Sequence, residues 1–128
     1  MVIDTSAVIA IFLGELEADR FDEAIATAKI RLLPATCLLE ARMDLVARRD
    51  ERSVNDLWLL KAGVDIIPVD ADLVDFATQA WLVFGKGRPP AGLNFADCLS
   101  YALAKRSGEP LLFKGDDFAK TDLRGVFP

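Results

Sequence analysis

The chain has 128 residues, 52% of them hydrophobic, with a formal charge of -5 and no histidine. That length suits one compact domain over residues 1–128 that hides roughly two thirds of its unfolded surface. The absence of imidazole excludes Ser-His-Asp and Cys-His catalysis, paired-histidine nucleases and ordinary imidazole-ligated zinc sites. The acidity argues against avid nonspecific binding to nucleic acid. The high apolar content predicts surface that meets a partner.

MVID reads as a buried first strand, with Ser6 as the cap of a helix over 7–13. The apolar run AVIAIFLG is far shorter than the ~20 residues of a membrane span. Asp4, not a basic residue, precedes it, so the positive flank of a secretory signal is missing and a cytoplasmic protein is expected. A second amphipathic helix follows over 17–28. IRLLP supplies the second strand, ended by Pro34, and Thr36 is placed to cap a helix running to Arg49. A further helix is predicted near 53–62, stopped by Gly63. DIIPV is the third strand, with Asp70 as the cap of the next helix. In that helix Leu73, Phe76, Ala77, Ala80, Trp81 and Phe84 recur at the spacing of one buried face. GKGRPPAGLN reads as a loop. Asn94 then caps a helix with Phe95, Cys98, Leu99, Ala102 and Leu103 on one side, closed by Gly108. EPLLF is a fourth strand, too short and too apolar for a surface element. Strands separated by helices predict right-handed crossovers, hence a three-layer α/β domain with a parallel sheet between helices.

Cys37 and Cys98 lack CxxC spacing and read as buried thiols in a reducing compartment. Acid-base chemistry then falls to carboxylates, lysines or a metal-activated water. In parallel α/β sheets the ligand crevice lies beyond the carboxyl ends of the strands. Asp4 follows the first strand, Glu40 sits early in the helix after the second, Asp97 opens a helix, and Asp116 and Asp117 follow the fourth strand. Each has a plainer reading. Asp97 suits a capping box with Asn94, Glu40 a helix surface, Asp116 and Asp117 a turn and a cap, while Asp4 at the end of a buried strand needs a partner. Convergence is what favours a site. Two carboxylates ~4 Å apart repel by about 4 kcal/mol at an effective dielectric of ~20. A converged set therefore calls for a hard, oxygen-ligated cation, Mg²⁺ or Mn²⁺, which activates water for in-line attack on a phosphodiester.

GKGRP lacks the GxxxxGK[ST] order of a P-loop, so ATP binding is unsupported. Lys86 and Arg88 in that loop are candidates for holding a substrate phosphate. Arg42, Arg48, Arg49 and Arg52 read as a helix surface, with RNA or partner contact as the alternative.

Four stretches, MVIDTSAVIAI, LLEAR, GKGRPPAGLNFADCLSYALAK and LLFKGDDFAKTDL, carry a resemblance. Together they make the chain similar to the PIN-domain ribonucleases of the VapC family, the toxic halves of type II toxin-antitoxin pairs. The resemblance covers nearly the whole chain. It implies an α/β/α PIN domain with four or five parallel strands and Mg²⁺- or Mn²⁺-dependent endoribonuclease activity on structured RNA such as transfer or ribosomal RNA. Asp4, Glu40 and Asp97 become the first three acids and metal ligands, and Asp116, first after the strand, the fourth. Asp117 is the alternative fourth acid. Thr5, Ser6 and Asp122 stand as supporting or capping residues. The resemblance further implies a homodimer and a VapB-like antitoxin, in a heterotetramer or larger assembly, with the antitoxin's C-terminal segment in an apolar groove. Rival readings are a PIN-like module kept only for binding RNA or protein, and a phosphoacceptor domain. The latter needs an acidic pair after strand one, where this chain has Asp4-Thr5-Ser6.

Overall fold

The computed structural model describes residues 1–49 and 63–128. Its elements, in chain order, are β1 (Val2–Ile3), α1 (Thr5–Phe12), α2 (Ala18–Thr27), β2 (Leu32–Pro34), α3 (Ala35–Arg49), β3 (Asp65–Ile67), α4 (Ala71–Phe84), α5 (Phe95–Ser107) and β4 (Leu111–Leu112). The helix expected near 53–62 lies outside the described residues. The strands form one sheet in the order β3-β2-β1-β4, all parallel. β1 sits between β2 and β4, with Val2 opposite both Leu32 and Leu111. The chain leaves β1 toward one side of the sheet and returns as β4 on the other. The carboxyl ends of β1 and β4 therefore flank a topological switch point, where parallel sheets open a crevice.

The two-residue strands β1 and β4 suffice because each of their residues is buried on one face or the other. Ile3, Leu33 and Leu112 join a core with Val8, Phe21 and Ile25 from α1 and α2. Val2 and Leu111 point the opposite way, into a core with Leu73 of α4 and Leu99 and Leu103 of α5. Alternation along a strand sends neighbouring side chains to opposite faces, so VI and LL feed both helical layers at once. The expected three-layer architecture is the observed one.

Local signals set most helix ends. Asp70 accepts from the Leu73 amide at 2.8 Å, and Asn94 and Asp97 form a reciprocal capping box. Gly108 ends α5 at φ 73°, a left-handed cap that a β-carbon disfavours. Other expectations are corrected. α1 begins at Thr5 and Asp4 is its cap, because the Asp4 side chain accepts from the Ser6 amide, placing Ser6 inside the helix. α3 begins at Ala35, so Thr36 also lies inside its helix. On α4, Leu73 and Ala80 are buried, but Phe76 and Trp81 are 37% and 41% exposed, and Phe95 on α5 is 76% exposed. The apolar stripe is wider than the layer beneath it can cover. Its margin borders an apolar groove of about 480 Å³ between α4 and α5, lined by Val69, Val74, Trp81, Phe95 and Leu99. Among the described residues no helix is long and apolar enough to cross a membrane.

Candidate metal centre

A pocket of about 540 Å³ opens over the carboxyl ends of β1 and β4, and Asp4, Glu40, Asp97 and Asp117 all line it. Asp4 is its floor. The β1–β4 ladder continues into it, with the Asp4 amide donating to the Leu112 carbonyl at 3.0 Å. The side chain is only 4% exposed, so its charge needs partners. Ser6 supplies two, its amide at 3.0 Å and its hydroxyl at 2.7 Å, both donated to Oδ2. Ser100, fully buried on α5, donates to Oδ1 at 2.5 Å. Behind Ser100, Cys37 Sγ lies 3.0 Å from the Ser100 hydroxyl. Burial, reinforced by the Asp4 charge, pushes the Cys37 thiol up to about 12, so it stays protonated. Thr5 turns inward and its hydroxyl donates to the Cys37 carbonyl at 3.4 Å.

Asp97 is the opposite wall. Its Oδ2 accepts from the Asn94 amide at 2.9 Å, closing the capping box. The capping reading of this residue therefore holds, and the same residue lines the pocket. Burial pushes its carboxyl up to about 6, opposed by that amide, and the negative charges of Asp4, Asp117 and Glu40 push it the same way. Asp97 thus senses three of the other acids of the pocket, which Glu15 and Asp44 also line.

Glu40 reaches the rim as an exposed residue on α3. Of the adjacent pair, Asp117 lines the pocket and Asp116 does not. Gly115, at φ 99°, turns the chain after β4. Phe118 is buried, meeting Phe113 edge-on with ring centres 5.3 Å apart. The anchor at 118 sets Asp117 against the pocket, while Asp116 caps the following turn with its carbonyl, accepting from the Ala119 amide at 3.2 Å. The geometry thus favours the alternative fourth acid. Asp122 faces elsewhere, accepting from the Tyr101 hydroxyl and the Lys105 ammonium at 2.6 Å each. Lys86 lines the apolar groove and Arg88 Nε donates to the Leu82 carbonyl at 2.8 Å; neither lines the acid pocket. Arg48 pairs with Asp44 one turn back.

Sequence reasoning missed Ser100, Cys37 and Lys114. Ser100 had a signal, since it lies one helical turn after Asp97 on the same side of α5. Lys114 and Asp44 also line the pocket.

The donor set fits a hard divalent cation: oxygen ligands only, and an excess of negative charge that Asp97 registers. Among the described residues no three His, Cys, Asp or Glu side chains are already drawn together around an ion. Mg²⁺ needs no such cage, because it commonly keeps several waters and takes one or two protein carboxylates. Asp4 and Asp97 are the buried pair best fixed for that role.

A PIN domain family model matches residues 1–123. The chain is 48% identical to the VapC ribonuclease Mb0640 of Mycobacterium bovis, covering 98% of both chains. It is 46% identical to Ribonuclease VapC of Mycolicibacterium smegmatis, over 98% of this chain and 99% of that one. Among solved structures it resembles Mycobacterium tuberculosis VapC20, described as a sarcin-ricin loop cleaving toxin, with a TM-score of 0.78 at 20% identity. That match covers 99% of this chain and 98% of that one, and at such identity it speaks for the fold.

Proposed function

We propose, because the chain belongs to the PIN-domain family and to the VapC ribonucleases within it, that it is a metal-dependent endoribonuclease, the toxin of a toxin-antitoxin pair. The observation that carries this reading is the pocket in which Asp97 feels the charges of Asp4, Glu40 and Asp117 together. Asp4 and Asp97 would hold Mg²⁺ or Mn²⁺, with Glu40 and Asp117 completing the negative field and orienting water. When bound, the ion supplies an activated water and offsets charge on the phosphoryl oxygens. Ser6 and Ser100 keep the Asp4 carboxylate fixed, so little reorganisation is left for the reaction itself. Glu40 and Asp117, at the solvent side, are the groups placed to accept a proton from the attacking water.

The substrate we infer is structured RNA, transfer or ribosomal, cut in the cytoplasm. The likeness to a toxin described as cleaving the sarcin-ricin loop supports that class. The fold is also shared with a toxin-antitoxin complex from Klebsiella pneumoniae, TM-score 0.72 at 19% identity, covering 94% of this chain and 92% of that one. A VapB-like antitoxin and a homodimer are proposed accordingly. Exposed Trp81, Phe95 and Val74 beside the groove, and Leu39, Met43 and Val46 on α3, supply apolar surface for them.

Purified protein should cleave RNA with Mg²⁺ or Mn²⁺ and stop with EDTA or with Asp97→Asn. Cleavage undiminished by either sinks the mechanism. A binding-only module is the second reading, favoured by the capping duties of Asp4 and Asp97, which account for both acids without chemistry. RNA bound but left intact by the wild-type protein in Mn²⁺ would select it.

A further inference from the structure

Among the described residues that line the acid pocket, Lys114 is the basic one. An RNA phosphodiester entering this pocket is an anion approaching Asp4, Glu40, Asp97 and Asp117. A cation bound by those acids answers part of the repulsion, and a fixed ammonium beside them answers more. Lys86 and Arg88, the basic residues the sequence offered for phosphate, line no part of this pocket. Lys114 stands at its edge.

Its backbone and its side chain have separate duties. The Lys114 amide donates to Ser6 Oγ at 3.0 Å, and that hydroxyl donates to Asp4. The main chain is thereby anchored to the floor of the site whatever the side chain does. The ammonium pairs with Glu15 and, at 3.1 Å, with Glu17, both in the turn between α1 and α2. The side chain is 38% exposed, and ion pairs so open to water contribute little and exchange readily. Hydrogen bonds donated to Glu15 first, then to Glu17, hold the Lys114 ammonium above its ordinary range, so it is charged whenever the carboxylates are.

We propose that Lys114 is the phosphate-contact residue of this pocket, parked on Glu15 and Glu17 until an RNA phosphodiester displaces them. The proposal rests on the ribonuclease reading. It gives Glu15 and Glu17 a role too, as internal competitors that weaken RNA binding. The contrary role is purely structural, with Lys114 pinning the α1–α2 turn to the end of β4.

The two roles separate in RNA-binding measurements on the Asp97→Asn protein, in which cleavage is expected to be too slow to consume the substrate during the titration. Fluorescence anisotropy with a labelled single-stranded oligoribonucleotide of mixed sequence, titrated across a salt series in Mg²⁺, is the readout. Lys114→Met should weaken binding about tenfold and reduce the slope of log affinity against log salt by about 0.7, the loss of one phosphate contact. Lys114→Arg should retain most of the affinity. Glu15→Gln with Glu17→Gln should tighten binding several-fold, because the competitors are gone. A structural pin predicts otherwise. Both sets of variants would lower the melting temperature together and leave affinity and salt slope where they were, and that result overturns the proposal. So does weaker binding in the Glu15/Glu17 variant. Wild-type protein that neither binds nor cuts RNA in Mn²⁺ removes the ribonuclease reading and this proposal with it. Wild-type cleavage alongside an unaffected Lys114→Met removes this proposal alone.

Discussion

Ser100 Oγ stands 2.5 Å from Asp4 Oδ1, joining α5 to the end of β1 across 96 positions of sequence. Both groups are buried, so the bond is made away from competing water. Ser100→Ala leaves Asp4 Oδ1 with only the long contact from the Cys37 thiol at 3.9 Å, at a cost of about 1–3 kcal/mol. Partners that orient a metal ligand are worth roughly 10–100-fold in metal affinity. Calorimetric titration with Mn²⁺ should show a loss in that range with the circular dichroism spectrum unchanged. Unaltered affinity would mean that Ser6 and the Cys37 thiol suffice to orient Asp4.

Asp97→Asn should separate stability from activity. The asparagine oxygen can still accept from the Asn94 amide, so the cap survives, while a charge repelled by Asp4, Asp117 and Glu40 disappears. Without metal the variant is expected to melt no lower than wild type, and with Mg²⁺ or Mn²⁺ to cleave at least a hundredfold more slowly. A collapse in melting temperature would show the cap to be what the carboxylate was for.

The pH dependence follows from the same residue. Its carboxyl is raised from the ordinary value to about 6, so the folded protein holds this proton more tightly than the unfolded chain does. Its contribution to stability is fully present below about pH 4, the range of a free aspartate, and is lost as pH rises through about 6. Metal binding runs the opposite way, because the ion requires the carboxylate; affinity should fall about tenfold per unit below that pH. Melting curves with and without Mg²⁺ should converge at acid pH and separate above it. Curves that stay apart at pH 4 would deny Asp97 this role.

The adjacent pair gives a fourth test. Asp117→Asn is expected to lower the cleavage rate tenfold or more, and Asp116→Asn to change it less than threefold, since only Asp117 lines the pocket. The reverse order of effects would restore Asp116 as the fourth acid.

Thiol chemistry supplies a fifth. With Cys37 buried and pushed up to about 12 by that burial, alkylation by iodoacetamide at pH 8 should await unfolding. Labelling of Cys37 in the native protein at the rate of a free thiol would mean that the region behind Asp4 opens.

Much of the layer order was legible in the sequence, and for a physical reason. Strands buried on both faces must be apolar throughout, so VI, LLP and LL stand out between helical patterns, and Asp70, Asn94 and Gly108 mark helix ends by local hydrogen bonding or backbone geometry. Asp4, Glu40, Asp97 and Asp117 were all visible as acids near strand or helix ends. What composition and spacing left open was which of two neighbours faces inward. Gly115 and buried Phe118 decide that for the 116–117 pair. The exposure of Trp81 and Phe95 was equally beyond periodicity, which tells which side of a helix is apolar and not how much of it another layer reaches.

The capping roles of Asp4 and Asp97 change how such chains are to be told apart. Each acid begins a helix as well as walling a pocket, so in a descendant that abandoned catalysis folding alone would still hold both positions to side chains that can cap. Glu40 and Asp117 are exposed and relieved of any such duty. In a set of diverged relatives, those two should drift first. Their replacement, rather than the loss of the buried pair, would mark the inactive branches.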